Sequence, residues 1–280
     1  MPLVTTKEML EDAYKHHYAI GAFGAHNLEI IKAVIAGAEK VGAPVILQTT
    51  SSTYKYVEMP YMIALAKTAA EQAKVPVALH LDHGESFKVV MECLRAGYTS
   101  VMIDGSSLPF EENIHLVKQV VDATSAIHVP VEAELGTIGG VEDDINVEEK
   151  SAFFTDPKLA ERFVRETGIQ SFAPAFGTAH GKYKQEPQLQ FELLEEIHRT
   201  TNIPLVMHGA SGVSEESVRH SLNYGIAKVN FSTELKDLFA EQLRAFFIEN
   251  PNENDPRKYF LPAREALIKL VEQKIVMLQK

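Results

Sequence analysis

Pro76-Val77-Ala78-Leu79-His80-Leu81-Asp82-His83-Gly84 is the stretch that decides the fold. Its first part is apolar at nearly every position rather than at alternate ones, as in a strand covered on both faces of a parallel sheet. It then turns polar at one end. The same design recurs along the chain, over residues 18–23, 44–48, 76–81, 100–104, 129–134, 171–176, 203–208 and 227–231. Amphipathic stretches of helical period separate these runs, at 27–41, 59–74, 86–96, 110–126, 156–167, 192–200, 214–222 and 233–248. Asn27 is a natural cap before Leu28, Ile31 and Ile35, and Asp156-Pro157 reads as a cap followed by proline at the first helical position.

Strand–helix units in this number predict an α/β fold, a closed (β/α)8 TIM barrel over residues 1–280 as a single domain. A last helix is expected after about residue 262, following a loop at 249–262. An open doubly wound sheet usually has fewer units, and no G-x-G-x-x-G follows the first strand. The long segment after the fifth strand, 136–151, starts with glycine and becomes acidic; loops of this length are often lids or binding loops.

Composition narrows the functional classes. Of 280 residues, 45% are hydrophobic and 23% charged, as in ordinary globular proteins. A net charge of −11 argues against a nucleic-acid or anionic-membrane binder. The N-terminus lacks the apolar core of a signal peptide, and no stretch reaches the ~20 apolar residues of a membrane span. The single cysteine, Cys93, fits a reducing cytoplasm, where the protein is expected.

Barrel active sites form at the C-terminal ends of the strands. Three such ends carry histidine followed by glycine: His83-Gly84, His180-Gly181 and His208-Gly209. Converging there, three imidazoles match a catalytic zinc site with an open position. His80 reads as a strand histidine lining the barrel, and His26, His115, His128 and His198 read as ordinary surface or hydrogen-bonded residues. Asp82 is either a general acid/base or a cap for the next helix. On an extended strand it and His83 would point to opposite sides, whereas a turn of the chain at the strand end would bring both to the mouth. Glu134 and Asp104 either orient imidazoles, hold a second cation or form barrel-mouth salt bridges, and Glu142 is otherwise a solvated loop charge. Gly209-Ala210-Ser211-Gly212 and Asn230-Phe231-Ser232-Thr233 follow the seventh and eighth strands, the usual phosphate position in such barrels, although glycines also serve tight turns. Lys228, inside the eighth strand, leaves a Schiff-base route open.

Taken together, these motifs resemble class II (zinc-dependent) ketose-bisphosphate aldolases. The resemblance rests on His80-Leu81-Asp82-His83, Val101-Met102-Ile103-Asp104, Val131-Glu132-Ala133-Glu134-Leu135-Gly136, Glu142-Asp143-Asp144, Gly177-Thr178-Ala179-His180-Gly181, His208-Gly209-Ala210-Ser211-Gly212, Lys228-Val229-Asn230 and Asp255-Pro256-Arg257. It implies Zn2+ on His83, His180 and His208, with Glu134 and Asp104 near the metal. Asp82 then moves the proton of the hydroxyl whose carbon–carbon bond breaks, and Glu142 the proton on the reactive carbon. Gly181, Gly209, Ser211, Asn230, Ser232 and Thr233 hold dihydroxyacetone phosphate, beside a monovalent cation, Na+ or K+. Lys182, Lys236 and Arg257 are candidates for the distal phosphate, and Thr50 and Ser51 for the far end of the substrate.

The motifs look most like those of tagatose-1,6-bisphosphate aldolases. Fructose-specific relatives often carry aspartate where this chain has Ser232. The implied reaction gives dihydroxyacetone phosphate and glyceraldehyde 3-phosphate. The alternatives are a fructose-bisphosphate aldolase, an aldolase for another ketose 1-phosphate, a zinc hydrolase, and a non-catalytic barrel subunit of an aldolase complex. The resemblance implies a homodimer or homotetramer and admits a non-catalytic second subunit as partner.

Overall fold

Parallel strands close into a ring in the computed structural model, which describes residues 2–142, 145–147, 153–181, 183 and 187–279, with the backbone alone for 140–142 and 145–147. The strands of the barrel are β1 (Ile20–Gly24), β2 (Val45–Thr49), β3 (Val77–Gly84), β4 (Ser100–Ile103), β5 (Val131–Leu135), β8 (Ser171–Pro174), β10 (Leu205–Met207) and β11 (Ile226–Phe231). Their order around the closed barrel is β1-β11-β10-β8-β5-β4-β3-β2. Every pairing is parallel. A small second sheet, in the order β7-β6-β9, is built from β6 (Gly139–Glu142), β7 (Ile145–Val147) and β9 (Ala179–His180). This is the (β/α)8 barrel that the alternation of apolar runs and amphipathic stretches predicts.

The helices are α1 (Thr6–His16), α2 (Leu28–Val41), α3 (Ser51–Val57), α4 (Met59–Gln72), α5 (Phe87–Ala96), α6 (Phe110–Ser125), α7 (Pro157–Thr167), α8 (Phe191–Thr201), α9 (Glu215–Ser221), α10 (Thr233–Glu249) and α11 (Pro256–Leu278). Asn27 accepts a hydrogen bond from the N–H of Ile30, and Asp156 from those of Lys158 and Leu159, so both expected caps form. The main core lies between the outward strand residues and the helices, where Phe23, Phe163, Phe172, Phe176 and Phe231 are fully buried.

Two departures from the sequence reading concern the first and last helices. Helix α1 has no counterpart among the expected helices. Its Met9, Leu10 and Ala13 pack on Ile20, Ala22, Ile46, Ala78 and Ala227, closing the N-terminal end of the barrel. The inward alanines leave room for that plug. The last helix starts at Pro256, not after residue 262: Asp255 caps it by accepting from the N–H of Arg257, and Pro262 lies inside it. An internal proline costs one ladder bond, of order 3 kcal/mol. Burial of Ala263, Leu267, Val271 and Ile275, on one helical stripe, offsets that cost.

Candidate active site

The end of β3 resolves how two successive residues reach one mouth. Pairing with β4 runs Leu81↔Val101 and then Gly84↔Ile103, so β3 holds one residue more than its partner. That is a β-bulge at Asp82-His83, and His83 has a φ of 48°, in the left-handed region. Bulges re-aim side chains, and this one turns Asp82 and His83 to the same site.

The rings of His83, His180 and His208 meet there. Ring centroids lie 4.7 Å apart for His83 and His208, 5.0 Å for His83 and His180, and 5.9 Å for His180 and His208. All three are buried. His83 Nδ1 lies 2.7 Å from Asp104 Oδ2, and His208 Nε2 lies 2.9 Å from Glu132 Oε1. His83 and His208 therefore each spend one nitrogen on a carboxylate. The other nitrogens, His83 Nε2 and His208 Nδ1, are buried without a hydrogen-bond partner, as is Glu134 Oε2. Glu134 Oε2 stands 3.4 Å from His208 Nδ1. One ligand atom from each histidine falls within 4.8 Å of the others.

The electrostatics call for a cation. Burial pulls the pKa of His83 down, but Asp82, Asp104 and Glu134 outweigh it and lift it to about 10. Burial likewise lowers that of His208, while the carboxylates of Glu132 and Glu134 beside it raise it to about 9. Burial pushes Asp82 up, yet His83, Lys228 and His208 bring it below the usual aspartate range, so it is a carboxylate at neutral pH. Imidazoles aimed inward, backed by carboxylates, are the donor set of a divalent metal of the zinc type. The residues present fit such an ion: His83, His180 and His208 would hold it, with Glu134 within reach.

Around this centre stand the expected anion-binding elements. Gly181 and Gly209 have φ of 84° and 65°, and a Cβ on Gly209 would strike the backbone of Ala179. Asn230 Nδ2 donates to Asp82 Oδ1 at 3.2 Å. Ser211 Oγ accepts from the N–H of Glu234 at 3.5 Å, in the first turn of α10, and Ser232 and Thr233 open that helix. Thr50 leads into α3, a helix the sequence reading leaves out, and Ser51 is buried at its start. Lys236 is half-buried in the first turn of α10. Arg257 is exposed, chelates its own cap Asp255, and lines a surface groove with Glu29, Phe260 and Arg264. Strand β6, which ends at Glu142, pairs with the His180 strand through Gly140↔His180. The Glu142 side chain and Lys182 lie outside the described residues.

Four residues are missing from the expected set. Tyr183 Oη accepts from the N–H of Ala179 at 2.6 Å and donates to the carbonyl of Gly209 at 2.8 Å, tying two histidine strands together. His26 comes off β1 with Nδ1 3.0 Å from Thr53 Oγ1 and Nε2 3.2 Å from Ser232 Oγ, at the mouth rather than on an indifferent surface. Glu132, two residues before Glu134, shares its inward face, a period-2 signal the sequence does carry. Lys228 is fully buried and donates to Glu132 Oε1 and Oε2 at 3.0 and 2.9 Å and to His80 Nε2 at 3.2 Å. An ammonium has three N–H groups, and all are spent inside the barrel, which closes the Schiff-base route.

A parallel barrel with three inward imidazoles and an ionised acid at the C-terminal mouth is a scaffold for metal-assisted chemistry. The family of class II fructose-bisphosphate aldolases matches residues 4–280. The YdjI aldolase of Escherichia coli K12 is 33% identical, with a TM-score of 0.86 over 99% of this chain and 97% of that one. A protein of Coccidioides immitis, provisionally named a fructose-1,6-biphosphate aldolase, is 30% identical, with a TM-score of 0.89 over 97% and 94%. The fructose-bisphosphate aldolase of Campylobacter jejuni, at 24% identity and a TM-score of 0.82 over 99% and 95%, shares the fold. The chain belongs to the class II fructose-bisphosphate aldolase family. It is an aldolase, a lyase acting on a carbon–carbon bond in ketose-bisphosphate aldol cleavage. No helix among the described residues is long and apolar enough to cross a membrane.

Proposed function

We propose that this aldolase reversibly splits a ketose 1,6-bisphosphate, tagatose 1,6-bisphosphate in preference to fructose 1,6-bisphosphate, into dihydroxyacetone phosphate and glyceraldehyde 3-phosphate, with one Zn2+ as its metal. The observation that carries the reading is that the nitrogens of His83 and His208 that make no hydrogen bond, with His180 beside them, gather near the ionised Asp82. Asp82 takes the proton from the C4 hydroxyl as the C3–C4 bond breaks and the carbonyl of the aldehyde forms. The bonding electrons pass to the dihydroxyacetone phosphate half, whose C3 then takes a proton from Glu142. When bound, the metal supplies a Lewis acid where negative charge develops on the substrate oxygens.

The substrate's phosphate is held by Gly181, Gly209, Ser211, Asn230, Ser232 and Thr233, with a monovalent cation beside it. The start of α10 favours an anion without any net positive charge on the protein. Asp104 and Glu134 support the metal, and Thr50 and Ser51 face the far end of the sugar. For the distal phosphate, Lys236 on the first turn of α10 is better situated than Arg257 on its outer groove. The sugar preference is supported by Ser232, a hydroxyl engaged with His26 where an acid would be expected for fructose. The enzyme acts as a cytoplasmic homodimer or homotetramer.

Cleavage rates on the two bisphosphates test the sugar, and a strong preference for fructose 1,6-bisphosphate overturns that part. Exhaustive chelation tests the metal: activity should vanish and return with Zn2+, whereas full turnover after chelation overturns the reading.

A further inference from the structure

A chain of buried polar side chains runs down the inside of the barrel, beneath the histidines. Thr6 Oγ1 of the plug helix donates to Ser100 Oγ at 2.9 Å. Ser100 Oγ lies 2.7 Å from His80 Nδ1, and His80 Nε2 lies 3.2 Å from Lys228 Nζ. Lys228 grips both oxygens of Glu132, and Glu132 Oε1 lies 2.9 Å from His208 Nε2. The partners fix the protons on His80 and on His208 Nε2. An ammonium only donates, so His80 Nε2 must accept and Nδ1 carries the hydrogen. A carboxylate only accepts, so His208 Nε2 carries a hydrogen, and Nδ1, on the side of Glu134, is the nitrogen whose lone pair a metal would take.

This arrangement is dear to maintain. Burying an ion pair is often no better for stability than apolar residues of the same volume. One layer lower, the barrel interior is indeed filled by Ala22, Ala78 and Ala227 against the plug. A register shift at this level, Leu205↔Ile226 followed by Val206↔Lys228, lets β11 present both Ala227 and Lys228 to the interior. His80, Asp82 and Glu132 could themselves surround a cation, and Lys228 brings its ammonium among them.

We propose that Glu132, clamped by Lys228, is the positioning residue for His208: it holds the proton on Nε2 and so assigns Nδ1 to the metal. His80, Ser100 and Thr6 hold the clamp from below. The inference rests on the metal-centred reading above and assigns Glu132 and Glu134 different tasks. Glu134 offers its own oxygen beside the metal position, while Glu132 acts only through His208.

Two measurements test this. In Zn2+-loaded wild-type protein labelled with 15N-histidine, long-range proton–nitrogen spectra should report His208 with its proton on Nε2; a proton on Nδ1 overturns the proposal. The charge-neutral variant E132Q/K228M removes the carboxylate and its counter-ion together, leaving no isolated buried charge. Its Zn2+ affinity, read by competition with a chromophoric chelator, should fall about 10–100-fold. Wild-type affinity in that variant overturns the proposal and leaves the aldolase reading standing. A wild-type protein that takes up no Zn2+ overturns the metal reading and this inference with it. Should the double variant fail to fold, E132Q alone and the wild-type tautomer decide the matter.

Discussion

His83 and Asp104 are joined end to end at 2.7 Å, Nδ1 to Oδ2, although one lies in β3 and the other just past the end of β4, and His83 occupies left-handed backbone. The carboxylate also accepts from the N–H of Ser106 at 3.0 Å, so its own position is fixed. In the proposed metal-centred reading it aims the His83 ring and strengthens it as a ligand. Asp104→Asn keeps the size and the contact to Ser106 but weakens the hold on the imidazole. Zn2+ affinity by chelator competition should fall about 10–100-fold with the fold unchanged by circular dichroism.

His180 comes from β9, outside the barrel ring, and completes the imidazole set. His180→Ala should leave the protein folded, remove bound metal and abolish nearly all turnover. Metal content by atomic emission, beside an aldol cleavage assay, checks it.

Asp82 is buried, ionised and braced by Asn230. Asp82→Asn removes the proton acceptor and leaves the three imidazoles in place. Metal content should stay near one per chain, while kcat falls about 10²–10⁴-fold. Near-normal kcat removes Asp82 from its role.

Gly84 follows the bulge. A Cβ there would lie 2.5 Å from the carbonyl oxygen of Met102 and 3.1 Å from Val90 Cγ2. Neither neighbour can swing away, since one is strand backbone and the other core. Gly84→Ala should cost about 1–3 kcal/mol, read as a lower Tm, and should weaken metal binding through the neighbouring His83.

Cys93 is buried on α5, and burial pushes its thiol up to about 12. A thiol-specific chromogenic disulfide should not label the native protein at pH 8 and should label it fully in denaturant. The raised pKa also sets a sign. The folded state holds this proton more tightly, so the contribution is complete below the ordinary thiol range and is lost as pH rises toward 12. Cys93→Ala should flatten the fall in stability over that window.

Much of the site was legible because function and fold share one rule here. Apolar runs marked the strands, and the polar residues at one end of each marked the mouth, so His83, His180 and His208 could be grouped before any coordinates. What failed did so for local reasons. The plug helix α1 carries too few apolar residues to stand out, because only Met9, Leu10 and Ala13 are needed to cover a narrow barrel floor. The end of the expected loop at 249–262 is helical instead, since packing along α11 outweighs the ladder bond lost at Pro262.

The sequence by itself determined the order of strand–helix units, the end of the barrel where chemistry collects, and the residue types gathered there. These follow from periodicity and from chain direction, which are one-dimensional properties. Only the tertiary structure decided which nitrogen of His83 and of His208 is spent, that Asp82 and His83 share one site, and that Lys228 is a buried counter-ion and not a nucleophile. Those outcomes depend on a one-residue bulge in β3 and on partners up to 148 positions apart, Lys228 with His80 and Asn230 with Asp82. A hydrogen bond's direction is settled by what stands opposite it in space, and spacing along the chain carries no record of that.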